Sequence, residues 1–78
     1  MNAKIRLDTR DDVNKVFEVA SKAQLEGKAS IYVEDRANNV RVNARSVIGL
    51  LYALEFVDVW CVSEDDYWSE LEDVIVIE

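Results

Sequence analysis

Apolar residues recur along this chain with two periods, near two and near 3.6, and the switches between them mark out seven segments. Lys4-Ile5-Arg6-Leu7 alternates polar with apolar and predicts a strand over residues 4–7. Thr9-Arg10-Asp11-Asp12 has the form of a capping box, with Thr9 accepting from the backbone N–H of Asp12, and it opens a helix carrying Val13, Val16, Phe17 and Ala20 on one face. Gly27 ends that helix. Residues 29–33 and 40–43 alternate again, and Asn38-Asn39 between them tolerates the left-handed backbone of a hairpin turn.

Ser46 is placed to cap a second helix over residues 47–54, in which Val47, Leu50, Leu51 and Leu54 fall at helical spacing. Residues 56–62 form the fourth expected strand, with Val57, Val59 and Cys61 on one side and Phe56, Asp58, Trp60 and Val62 on the other. A further capping pattern, Ser63-Glu64-Asp65-Asp66, predicts a third helix with a buried stripe of Trp68, Leu71 and Ile75. The β-branched run Val74-Ile75-Val76-Ile77 leaves open whether that segment ends helical or extended. Amphipathic helices need an apolar sheet face to cover, so the order β-α-β-β-α-β-α predicts an α+β open-faced sandwich, a four-stranded antiparallel sheet with three helices on one face.

Composition narrows what such a domain does. Seventy-eight residues suit one domain spanning 1–78, and a chain of this size buries only roughly 60% of its unfolded surface. A deep enclosed active site is not expected. Two Gly and no Pro speak for an ordered chain, and a single cysteine, Cys61, speaks for a reducing cytoplasm. No apolar run approaches the roughly 20 residues of a membrane span. Nine Lys and Arg against sixteen Asp and Glu give a net charge of −7, which disfavours nucleic acid and anionic membranes as partners. After Arg45 every charged residue is an acid.

The stretch Val42-Asn43-Ala44-Arg45-Ser46-Val47-Ile48-Gly49-Leu50-Leu51 resembles the serine-site motif of the HPr family, the small phosphocarriers of the bacterial sugar phosphotransferase system. Ala20-Ser21-Lys22 resembles the end of that family's first helix, and with the shared element order the resemblance covers essentially the whole chain. It implies HPr architecture and a docking function. It also places the family's His-Ala-Arg-Pro active site on Thr9-Arg10-Asp11-Asp12, so that Thr9 stands for the phosphorylated His, Asp11 for the assisting Arg and Asp12 for the Pro. The chain contains no histidine at all. The resemblance therefore implies a regulatory or adaptor protein, with phosphotransferase-system or transcription-regulatory proteins as partners, rather than a phosphohistidine carrier. In the family the serine matching Ser46 is the target of a regulatory kinase in many Gram-positive bacteria.

Each candidate residue has a plainer reading beside the functional one. Ser46, next to Arg45, reads as a phosphorylation site at a helix start, beside the plainer reading of a simple N-cap. Ile48 and Leu51 lie on the side of the second helix that the resembling proteins present to partners, or are ordinary scattered apolar residues. Tyr32, Phe56 and Trp60 on the face away from the core suggest a homodimer, unless the stems of Lys4, Arg6 and Arg41 cover them. Thr9, Asp11 and Asp12 remain as non-histidine acceptors in a carrier reading, and a purely self-associating module is the other alternative. The acids at 64–66, 70, 72 and 73 match no calcium loop and read as a solvated helix face, and Cys61 reads as core. No cofactor, metal or catalytic set is expected, and the chain is not expected to be an enzyme.

Overall fold

The computed structural model describes residues 1–77. Its element order is β1 (Asn2–Lys4), α1 (Arg10–Leu25), β2 (Ile31–Asp35), β3 (Val40–Asn43), α2 (Val47–Ala53) and β4 (Val59–Ser63). The strands form one antiparallel sheet in the order β1-β4-β2-β3. Ala3, Cys61, Val33 and Val42 stand opposite one another across all four strands. Cys61 and Val33 of this row, with their neighbours Ile31 and Val59, face the helices and join Val13, Val16 and Ala20 of α1 and Leu50 and Ala53 of α2 in one core, against which Val42 packs. The other face carries the rows Asn2-Val62-Tyr32-Asn43 and Lys4-Trp60-Glu34-Arg41 and has no helix over it. The α+β class and the open antiparallel sheet are as the periodicity predicted.

Local chemistry fixes the helix ends. Thr9 accepts from the N–H of Asp12 at 3.2 Å, and the Asp12 carboxylate accepts in return from the Thr9 N–H, the capping box expected from sequence. At the other end Gly27 sits at φ 71°, with its N–H donating to Gln24 and that of Lys28 donating to Ala23 at 2.8 Å. A left-handed glycine followed by these two bonds closes the last turn. The hairpin turn between β2 and β3 places Asn39 at φ 55°, also as expected.

Three expectations need correction. First, the strands are shifted: β1 begins at Asn2 and β2 at Ile31, while β4 begins only at Val59. Val57 is consequently 75% exposed instead of in the core, because residues 54–58 belong to the turns leaving α2 and the strand alternation does not extend back through them. Secondly, Phe17 is only half-buried at the edge of the core.

Thirdly, no third helix forms among the described residues; the sheet is accompanied by two. Ser63 is still part of β4, paired with Ile31, and its hydroxyl accepts from the N–H of Asp65, two residues on, which makes a turn instead of a cap. A regular helix would also set Asp66 against Glu70 and Glu70 against Asp73, like charges at helical spacing. Residues 68–74 instead run as successive turns, and the buried members of residues 67–75 are Tyr67, Leu71 and Val74, not Trp68, Leu71 and Ile75. The Tyr67 hydroxyl donates to the Ala29 carbonyl at 2.8 Å, fastening the segment to the start of β2. After these turns the described chain is extended: Ile75 lies opposite Ile5, with bonds from the Arg6 N–H to Val74 and from the Val76 N–H to Lys4.

Asp35, at the end of β2, has a structural role that its sequence position did not suggest. Its buried carboxylate accepts from the Asn38 amide at 2.8 Å and from the N–H groups of Ala37, Asp58 and Val57 at 3.0, 3.1 and 3.2 Å. Led by the Asn38 bond, these donors hold its pKa down at about 2. One side chain thereby joins the β2–β3 turn to the loop between α2 and β4.

Candidate functional site

The candidate residues fall on three separate surfaces: the outer face of α2, the start of α1 and the open face of the sheet.

On α2, Ser46 has extended backbone and its hydroxyl accepts from the Gly49 N–H at 3.0 Å, so the cap expected from sequence is present. Glycine at 49 permits a close approach, since a Cβ there would lie 3.2 Å from both the Ser46 Oγ and the Val42 Cβ. Leu50 and Ala53 point into the core. The remaining residues form an outward apolar strip: Ile48 is 82% exposed and Tyr52 56%, with Val47 and Leu51 also exposed. Val47 and Tyr52 join Ile48 and Leu51 in this strip, which helical spacing alone did not reveal, because Val47 and Leu51 share the spacing of the buried Leu50. No charged residue occurs between Arg45 and Glu55. The strip is therefore neutral in a chain of net charge −7.

Arg45 borders the strip. Its backbone N–H donates to the Asn43 side chain at 2.9 Å, and its side-chain Nε is buried without a hydrogen-bond partner among the described residues. A buried donor left unmatched is a cost that an added acceptor would relieve.

At the start of α1 the geometry is closed. The buried Asp12 carboxylate accepts from the N–H groups of Asp8 at 2.9 Å and Thr9 at 3.2 Å, and from the Arg6 guanidinium at 3.1 Å. Burial pushes this carboxyl up, but the bonds from Asp8, Arg6 and Thr9 outweigh it and hold it below the usual range. The Asp12 carboxylate thus already sets a negative charge in this turn and engages its cation, Arg6, and exposed Asp11 adds a second negative charge.

On the open sheet face, Tyr32 and Trp60 stand on neighbouring strands, each roofed by a guanidinium. Arg41 lies 4.7 Å from the centroid of Tyr32 and Arg36 lies 4.0 Å from that of Trp60. Arg41 was foreseen as a cover and Arg36 was not. Glu34 pairs with both arginines, and the Trp60 indole donates to Asp58 at 2.9 Å. Phe56 does not share this face, contrary to expectation: it precedes β4, packs against the core and meets Tyr52 edge-on at 5.6 Å.

Cys61 is buried in the core, and burial pushes its thiol up to about 11. Among the described residues, no group of three or more acids, cysteines or histidines is gathered closely enough to hold a metal ion, and no helix is long and apolar enough to cross a membrane. Comparison with protein-family models, with curated proteins and with solved structures finds no match to this chain.

Proposed function

We propose that this chain is an HPr-like regulatory or adaptor protein of the bacterial cytoplasm, connected to the phosphotransferase system, which acts by docking other proteins and carries no phosphate on histidine. The observation that carries the reading is the contrast between the two helix starts. At α2 an uncharged, exposed apolar strip of Val47, Ile48, Leu51 and Tyr52 adjoins Ser46 and Arg45. At α1 the turn entering the helix already holds the buried Asp12 carboxylate, which takes the Asp8 and Thr9 N–H groups and the Arg6 guanidinium, and exposed Asp11 stands beside it. A partner can bury the first surface, whereas a phosphoryl group on Thr9, Asp11 or Asp12 would meet acids at the second. The resemblance around residues 42–51 points the same way.

Phosphorylation of Ser46 is the switch in this reading. Added charge there converts the neutral strip into a partly anionic one, excluding partners that need an apolar contact and favouring those with cations. The arginine roofs over Tyr32 and Trp60 weigh against the rival reading, a self-associating module built on that face.

Two measurements test the proposal together. Incubation with radioactive phosphoenolpyruvate and the general phosphotransferase enzyme should leave the chain unlabelled; stoichiometric label on Thr9, Asp11 or Asp12 would establish the carrier instead. Affinity capture from a bacterial cytoplasm should recover partners with the native chain that Ile48→Asp loses and Ser46→Asp exchanges, with both variants fully folded. Identical recovery by all three would remove the α2 strip as the docking surface.

A further inference from the structure

The sheet does not end at β1. Residues 74–76 lie along its outer side through the bonds from Val76 to Lys4 and from Arg6 to Val74, with Ile75 opposite Ile5. In an antiparallel ladder the residue between two such bonds turns its own carbonyl away from the partner strand. The Ile75 N–H is taken internally by Leu71 at 3.1 Å, but among the described residues the Ile75 carbonyl and the Ile77 N–H have no backbone partner. The outermost edge therefore offers one acceptor and one donor to an incoming strand.

Edges of this kind normally carry charge or proline to prevent pairing. The opposite edge, β3, carries Arg41, whereas residues 74–77 contain four β-branched apolar side chains and no charge. Beside the tail lies a groove of about 330 Å³ lined by Trp68, Glu72, Ile75, Val76 and Ile77. Ile77 is 92% exposed and Trp68 48%. The aromatic that the sequence assigned to the core thus lines an outside surface.

Charge selects the occupant. Glu72 lines the groove, exposed Asp73 follows it, and every charged residue beyond Arg45 is acidic. A second copy would bring the same apolar tail together with the same acids and the same net charge of −7. A strand with apolar side chains on one face and Lys or Arg on the other matches both features. We infer that the edge formed by residues 75–77, with Trp68 and Glu72 beside it, is a second docking site that takes an extended, basic, alternately apolar segment of another polypeptide by strand addition. The site shares no residue with the α2 strip and stands whether or not the reading of that strip holds.

The test is a heteronuclear NMR titration of the full chain with a blocked octapeptide alternating Lys and Val. Expected are saturable shifts of the Ile77 amide and the Trp68 indole, at least tenfold weaker binding with Ile77→Lys, Trp68→Ala and Glu72→Lys, and no change with Ile48→Asp. These side chains are exposed or half-exposed, so their loss leaves the core intact. Methylating the peptide amides at every Val, or separately at every Lys, should abolish binding in at least one case, because strand addition uses the amides of one edge. Four results would overturn the inference: no saturable shift, shifts spread over the acidic surface, full affinity with both methylated peptides, or affinity indifferent to Ile77→Lys and Trp68→Ala. A native dimer in sedimentation that Ile77→Lys abolishes would also overturn it, since the edge would then be covered by a second copy.

Discussion

Replacing Tyr67 and Trp68 in parallel separates two ways of packing residues 64–77. Helical spacing buries Trp68; the observed turns bury Tyr67, at 1% exposure, and leave Trp68 about half in water. Truncating a fully buried aromatic typically costs about 3–5 kcal/mol, and Tyr67→Ala should fall in that range because the ring closes the core beneath Lys28 and its hydroxyl holds the Ala29 carbonyl. Tyr67→Phe keeps the ring and loses only the hydrogen bond, for about 1–2 kcal/mol. Trp68→Ala gives up roughly half of a tryptophan's apolar contact and should cost about 1–2 kcal/mol. For a domain of this size each kcal/mol moves the melting temperature by about 4–8 °C, so Tyr67→Ala should melt roughly 4–30 °C below Trp68→Ala. Total stability is on the order of 4–12 kcal/mol, which makes Tyr67→Ala marginal at room temperature. Urea denaturation followed by far-ultraviolet circular dichroism gives the comparison directly. Equal losses for the two variants, or a larger one for Trp68→Ala, would refute the packing.

Three further outcomes follow from single residues. Because the pKa of Asp35 in the folded chain lies near 2, below its unfolded value of 3.8, the stability it contributes is complete above about pH 4 and is lost as the pH falls toward 2; melting curves of Asp35→Asn should show a flatter decline across that window than the native chain. Cys61, with its thiol buried and raised to about 11, should resist a disulfide reagent at pH 8 in the native state and react promptly in denaturant; fast native reaction would mean that the core opens readily. Ser46→Ala should lose about 1 kcal/mol in thermal melts through the lost acceptor for the Gly49 N–H, while Ser46→Asp should stay close to the native value, since aspartate also caps; equal losses would contradict the capping role.

Much of this molecule is local and therefore legible in one dimension. The Thr9–Asp12 capping box, the Gly27 stop, the left-handed Asn39, the Ser46 cap and the β2–β3 pair each depend on residues within a few positions of one another. Side-chain chemistry at that range is decided before the chain folds. The absence of histidine, the net charge and the motif spanning residues 42–51 were likewise readable without coordinates.

What the sequence misjudged depended on partners far away along the chain. Tyr67 rather than Trp68 is buried because its hydroxyl meets Ala29, which lies 38 residues earlier. Residues 75 and 76 are extended because β1 and the residues just after it, at the other end of the chain, supply the ladder that a β-branched run can use in place of a helical turn. Val57 faces water and Asp35 is buried because the loop after α2 folds back onto the hairpin turn and delivers two N–H groups to one carboxylate. Which apolar side chains of α2 and of residues 74–77 face solvent was also decided at this level. Apolar residues on α2 and in the C-terminal tail carry the same periodic signal whether they enter the core or face solvent, and only the assembled sheet, by using one side of each, determines which side is left exposed.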